Sequence, residues 1–231
     1  MTASFPIVFA LYPHVTQLDF TGPLEVLSRA PGARCICASV SGGELGCDSG
    51  ITFSNLARLD EVEHAALLCV PGGLGARAAM ESPEYLAAIR RLAASANYIT
   101  SVCTGSLLLG AAGLLRGRRA ACHWAWRDLL KDFGAIPDAA RVVRDGNIIT
   151  GGGVTAGIDM ALTVLAEIAG VDYAESVQLG IEYAPAPPFN AGTPEAARPE
   201  ILLNVKNRLH SLAAEREAVV RSTTAQTALL E

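Results

Sequence analysis

YITSVCTGSLLLGAAGLL, residues Tyr98 to Leu115, changes character at a single cysteine. Tyr98 to Val102 is β-branched and apolar enough for a buried strand, and from Gly105 onward the Leu/Ala-rich run predicts a helix. Cys103, Thr104 and Gly105 lie at the junction. A nucleophile at a strand-to-helix turn is pushed out of the carboxyl edge of a sheet. The helix that follows aims its first N–H groups and its dipole at the sulfur, which favours the thiolate. A glycine two residues after the nucleophile lets such an elbow close. A cysteine in an apolar run also reads as a buried structural residue. The C-T-G-S turn brings the two readings level.

Around this stretch the chain alternates. Ile7–Leu11, Arg34–Val40 and Ala65–Val70 read as further buried strands, the first ending at Tyr12-Pro13 and the third at Pro71-Gly72-Gly73. Pro23 occupies a helix N1 position after a loop containing Asp19, and the helix continues to Ser28. Ser41 to Gly50 is a glycine-rich turn or hairpin. Two helical pieces divide near Ser82-Pro83. A short strand at Arg118–Cys122 and a helix over Trp124–Phe133 follow. Val142–Thr150 is a hairpin around Asp145-Gly146. Gly151 to Gly153 leads into a long amphipathic helix, Asp172 is placed to cap the next one, and YAPAPPFNAGTP is a proline-rich loop. Residues 196–231 read as one or two charged helices that fray at the end.

Strands alternating with helices specify an α/β fold, a doubly wound and mostly parallel sheet with helices on both faces. In such a sheet the ligand site lies off the carboxyl ends of the strands. The loops there carry Asp19, Gly72-Gly73 and Cys103, so three chemically unusual stretches converge on one place.

The 231 residues and 51% hydrophobic composition suit one such domain with some decoration. A net charge of −5 and a pI near 5.4 leave no electrostatic footprint for nucleic acid or an anionic membrane. The N-terminus lacks the basic region of a signal peptide, and no apolar run reaches membrane-spanning length. Cysteines at 35, 37, 47, 69, 103 and 122 form no C-x-x-C pair and no zinc-like spacing with histidine. Six unpaired thiols suit a reducing compartment, so a soluble cytoplasmic protein without a metal is expected.

A reactive Cys103 needs a proton partner. His14, His64, His123 and His210 are all remote from the turn in sequence, and residue 104 is threonine. His123, followed by Trp124, reads as packing near a helix start. Asp19 is either a helix cap, a solvated loop acid or the missing acid. Beside Cys103, the two anions could not both exist cheaply in a low dielectric, and the pair would hold one proton between them. Such a couple can attack a carbon and protonate that same carbon. It is ill suited to peptide hydrolysis, where the leaving amine needs an imidazolium. Gly72 and Gly73 would bring backbone N–H groups to a substrate or merely end a strand. Thr104 would donate to the reacting centre or cap its helix. The triple glycine is a hinge or a point of close approach.

The stretches QLDFTGP (Gln17–Pro23), VPGG (Val70–Gly73), SVCTGSLLLGAAGLL (Ser101–Leu115), HWAW (His123–Trp126), VVRDGNIITGGGVTAGIDMAL (Val142–Leu162) and EYAPAPPFNAG (Glu182–Gly192) resemble the DJ-1/PfpI superfamily. The Q-L-D loop together with C-T-G and PAPPFNAG is similar more narrowly to its isocyanide hydratase branch. The resemblance implies a flavodoxin-like three-layer sandwich over residues 1–195, with residues 196–231 as a helical extension packed on it. It implies a Cys103 nucleophile, Asp19 as general acid/base, Thr104 at the reacting centre, and Gly72, Gly73 and Val154 around the substrate. Val154 is expected to start a helix that senses the charge on Cys103. A homodimer, a small isocyanide substrate, and no cofactor complete the expectation. Peptidase-like members carry glutamate where this chain has Asp19 and histidine where it has Thr104, which argues against proteolysis. Two alternatives remain: a DJ-1-like glyoxalase or redox sensor, and the sensor half of an AraC-type regulator. The stretch after Gly192 is not strongly basic, so DNA binding is not expected.

Overall fold

The computed structural model describes residues 4–228, without the side chains of 210–215 and 225–228. His210 therefore lies outside the described side chains. In chain order the elements are β1 (Phe5–Ala10), α1 (Gln17–Leu27), β2 (Ala33–Ser39), β3 (Gly43–Gly46), β4 (Thr52–Arg58), β5 (Leu67–Val70), α2 (Ala76–Met80), α3 (Pro83–Ser95), β6 (Tyr98–Val102) and α4 (Gly105–Ala111). They continue with β7 (Arg119–Ala120), β8 (Ile136–Pro137), β9 (Val142–Asp145), β10 (Ile148–Gly151), α5 (Ala156–Ala169), α6 (Val171–Gly180) and α7 (Pro199–Ala228).

Eight strands form the central sheet in the order β3-β4-β2-β1-β5-β6-β10-β9. The inner neighbours are parallel, and the antiparallel pairs β3/β4 and β9/β10 close the two edges. Parallel strands covered on both faces are apolar throughout. Ile7, Val8 and Phe9 of β1 and Leu67, Leu68 and Cys69 of β5 are fully buried. Successive strands step outward in one direction from β1 to β2 and in the other from β1 to β5. The crevice at this reversal is where a doubly wound sheet binds its ligand. Asp19, Gly72 and Cys103 follow β1, β5 and β6, the three adjacent strands at that point.

Several local expectations shift. The first helix begins at Gln17, not Pro23, so Asp19 sits in its first turn and Pro23 inside it. An internal proline removes one helical hydrogen bond, and here its ring packs where Gly157 of α5 has no side chain, 3.0 Å from the position of a Cβ. β4 was not foreseen; it pairs with β2 and with β3, and its partly exposed, polar sequence hides it. Gly170, not Asp172, caps α6. The helix expected over Trp124–Phe133 is a 3-10 segment at Arg127–Phe133. Where one or two helices were expected, residues 199–228 form one long helix, α7.

Candidate active site

Cys103 is 7% exposed and has φ +58°. That left-handed conformation costs a non-glycine residue roughly 1–2 kcal/mol, strain that clusters at functional turns. Its N–H donates to the carbonyls of Gly151 at 3.1 Å and Gly152 at 2.7 Å, which ties the elbow to the end of β10. Gly105 has to be glycine: a Cβ there would stand 2.0 Å from the Val70 carbonyl oxygen.

Asp19 is fully buried. Its Oδ2 accepts a 2.9 Å hydrogen bond from the Gly72 N–H. Its Oδ1 is buried without a conventional donor. The Cys103 thiol approaches this carboxyl as a weak donor, short of a fully formed hydrogen bond. Burial drives the carboxyl up from 3.8 to about 7, opposed by the Gly72 N–H and the thiol and reinforced by Asp48. The thiol is pushed well above 9.0, first by burial, then by Asp19 and Cys122, with only partial relief from the Val154 and Thr104 N–H groups. The N–H groups at the helix start do favour the thiolate, as expected, but they are not the largest influence on the sulfur. Desolvation and a neighbouring carboxylate outweigh two backbone donors, so the pair shares a single proton above about pH 7.

The two glycines act through their backbones. The Gly73 N–H donates to Thr104 Oγ1 at 3.1 Å, as that of Gly72 does to Asp19. Both donors face protein groups, and Gly73 alone of the two lines the cavity above the sulfur. A Cβ on Gly72 would lie 2.6 Å from Thr104 N and Oγ1 and 2.8 Å from Asp19 Oδ2. Thr104 is 2% exposed and makes no side-chain cap of α4. Val154, just before α5, presents its N–H to the Cys103 sulfur and its side to the cavity.

The cavity holds about 150 Å³ and is lined by Thr16, Leu74, Cys103, Thr104, His123 and Trp126, among others. His123, remote in sequence, is thus a wall of the site. Burial and Arg216 lower its pKa, and its Nδ1 accepts from the Ala125 N–H. Tyr12 is also close, its hydroxyl donating to the Pro71 carbonyl at 2.9 Å. Arg216 of α7 reaches the same cavity; its lone position in a charged helix carried no sequence signal. Among the described residues, no cluster of three or more His, Cys, Asp or Glu is arranged to hold a metal ion. None of the helices described is long and apolar enough to cross a membrane.

The DJ-1/PfpI family model matches residues 6–167. An isonitrile hydratase of Pseudomonas putida is 48% identical over 202 residues, covering 87% of this chain and 89% of that protein. A solved ThiJ/PfpI family protein from Pseudomonas syringae superimposes with a TM-score of 0.92 at 40% identity, covering 95% of this chain and 91% of its own. The HTH-type transcriptional regulator GlxA of Rhizobium meliloti is 34% identical over 173 residues, but the match spans only 53% of that regulator.

Proposed function

This chain belongs to the DJ-1/PfpI family, and from that premise we propose that it is an isocyanide hydratase, adding water to an isocyanide to give an N-substituted formamide. The observation that carries the reading is the meeting of a buried carboxyl, poised near 7, with a cysteine at a strained elbow. Its support from relatives is the isonitrile hydratase at 48% identity.

An isocyanide's terminal carbon is both electrophilic and basic, so its hydration needs a nucleophile and a proton at one atom. Transfer of the thiol proton to Asp19 generates the reactive form, thiolate beside carboxylic acid. The sulfur bonds to the isocyanide carbon while Asp19 protonates that carbon, which yields a neutral thioimidate. Asp19, now anionic, takes a proton from water as the oxygen adds to the same carbon, and hands that proton on to the nitrogen. Collapse to the formamide carbonyl breaks the C–S bond, and the hydroxyl proton returns through Asp19 to the Cys103–Asp19 pair. Thr104 and Val154 direct N–H groups at the sulfur and stabilise it as it leaves. The small cavity suits a small substrate. Six free cysteines suit a reducing cytoplasmic setting, and the family resemblance implies a homodimer.

Incubation with a simple alkyl isocyanide and, in parallel, with methylglyoxal tests the reading. Formamide from the isocyanide is expected; turnover of only the aldehyde transfers the site to glyoxalase chemistry. The GlxA match favours a second reading, a sensor domain of a regulator. Salt-dependent DNA retention together with no isocyanide turnover would select it.

A further inference from the structure

Arg216 is 4% exposed, yet among the described residues no carboxylate pairs with it. Its guanidinium donates to the Gly73 carbonyl at 3.2 Å and lies 4.4 Å over the Trp126 ring. These contacts fix its position, and neither brings a negative charge to it. An unpaired buried cation is costly, so what faces it matters. Among the described residues, the titratable groups that feel its charge are Tyr12, Cys103, Cys122 and His123. The Tyr12 hydroxyl is engaged by the Pro71 carbonyl. Of the acidic three, only Cys103 shares the cavity with Arg216. The elements packed against α7 also carry Arg77 on α2 and Arg127, Asp128, Lys131 and Asp132 in the 3-10 segment, whereas α4 carries no charge. On α7 itself, Glu217 pairs with Arg221.

We propose that Arg216, brought to the cavity by the C-terminal helix, is a positioning residue for the reactive sulfur: its guanidinium is the fixed positive charge against which the Cys103 thiolate forms. The proposal rests on the hydratase reading only for its effect on turnover. The backbone carbonyl of Gly73 and the indole face of Trp126 orient the charge without neutralising it, and no carboxylate among the described residues pairs with it. A charge fixed in advance needs no reorganisation as the proton leaves sulfur for Asp19. In this arrangement α7 completes the site.

The test is the rate of Cys103 alkylation by iodoacetamide as a function of pH, read by mass on the peptide containing Cys103. Arg216→Met removes the charge while retaining most of the bulk. The expected result is alkylation slowed about tenfold or more near neutral pH, the profile displaced to higher pH by about one unit, and a Tm equal to or above wild type. Turnover should lose kcat with little change in KM. A lowered Tm with an unshifted alkylation profile would assign Arg216 a merely structural role and overturn the proposal. If Arg216→Met does not fold, Arg216→Gln, which keeps a donor for the Gly73 carbonyl, gives the same reading, and an unshifted profile there is equally fatal. Arg216→Lys, with the charge retained, should alkylate closer to the wild-type profile. Because alkylation uses no isocyanide, absence of hydration by wild-type protein sinks the hydratase reading alone.

Discussion

Asp19 sets whether the site holds one proton or two. Below about pH 7 both carboxyl and thiol are protonated; above it the pair keeps one proton, which can reside on either partner. Only the one-proton form contains the thiolate–acid tautomer, so kcat/KM should rise as pH passes through about 7 and then level off. A profile falling through that region would contradict the assignment. The same shift acts on stability. A carboxyl raised from 3.8 to about 7 by folding favours the folded state at low pH, and this contribution is lost as pH rises through about 7. Asp19→Asn keeps an acceptor for the Gly72 N–H and removes the buried charge. It should therefore melt above wild type at alkaline pH, with a gain bounded at about 4 kcal/mol, and show no such gain below about pH 4. Its hydration rate should nevertheless fall to a small fraction of wild type. Cys103→Ala should abolish turnover with the fold intact, as judged by its melting curve. Substantial residual hydration from it would remove the covalent step.

Placement of Asp19 depends on how closely α1 meets α5. A Cβ on Gly22 would lie 3.1 Å from Ile158 Cγ1, and one on Gly157 would lie 3.0 Å from Pro23 Cγ and 3.2 Å from Val102 Cγ2. Small residues at this crossing let α1 lie near the elbow. Gly157→Leu should push α1 outward, costing about 1–3 kcal/mol in overpacking and reducing kcat at least tenfold as the carboxyl moves off the sulfur. Wild-type kcat in a stably folded Gly157→Leu would show that the crossing does not position the acid. Gly105→Ala meets backbone that cannot yield and should fail to give folded protein. Gly180, at the end of α6, has nothing within 4 Å of a Cβ, and Gly180→Ala should leave Tm unchanged or slightly raised. The contrast separates glycines required by close approach from those that are not.

At the scale of the whole molecule, the proposed homodimer has apolar surface to use: Leu179 and Phe189 are each 81% exposed, Val171 61% and Leu203 58%. Sedimentation should give twice the 24.1 kDa chain mass; a monomer at working concentrations would refute the dimer. The alternation of strands and helices, the elbow at Cys103 and the gathering of Asp19, Gly72 and Cys103 at one sheet edge were legible in the residues, because strand periodicity and the doubly wound rule are local or topological. The first turn of α1 was misread because Pro23, a usual helix starter, is tolerated inside the helix by its contact with a glycine of α5 more than a hundred residues away. β4 was missed because an outer strand needs little apolar patterning. His123 and Arg216 could not be assigned to the site, since proximity across the fold leaves no mark in spacing. The sequence by itself determined which groups are available for chemistry and which end of the sheet they occupy. Only the tertiary structure decided which way their pKa values are pushed, because burial and the charges brought near by packing set those shifts, and neither is written along the chain.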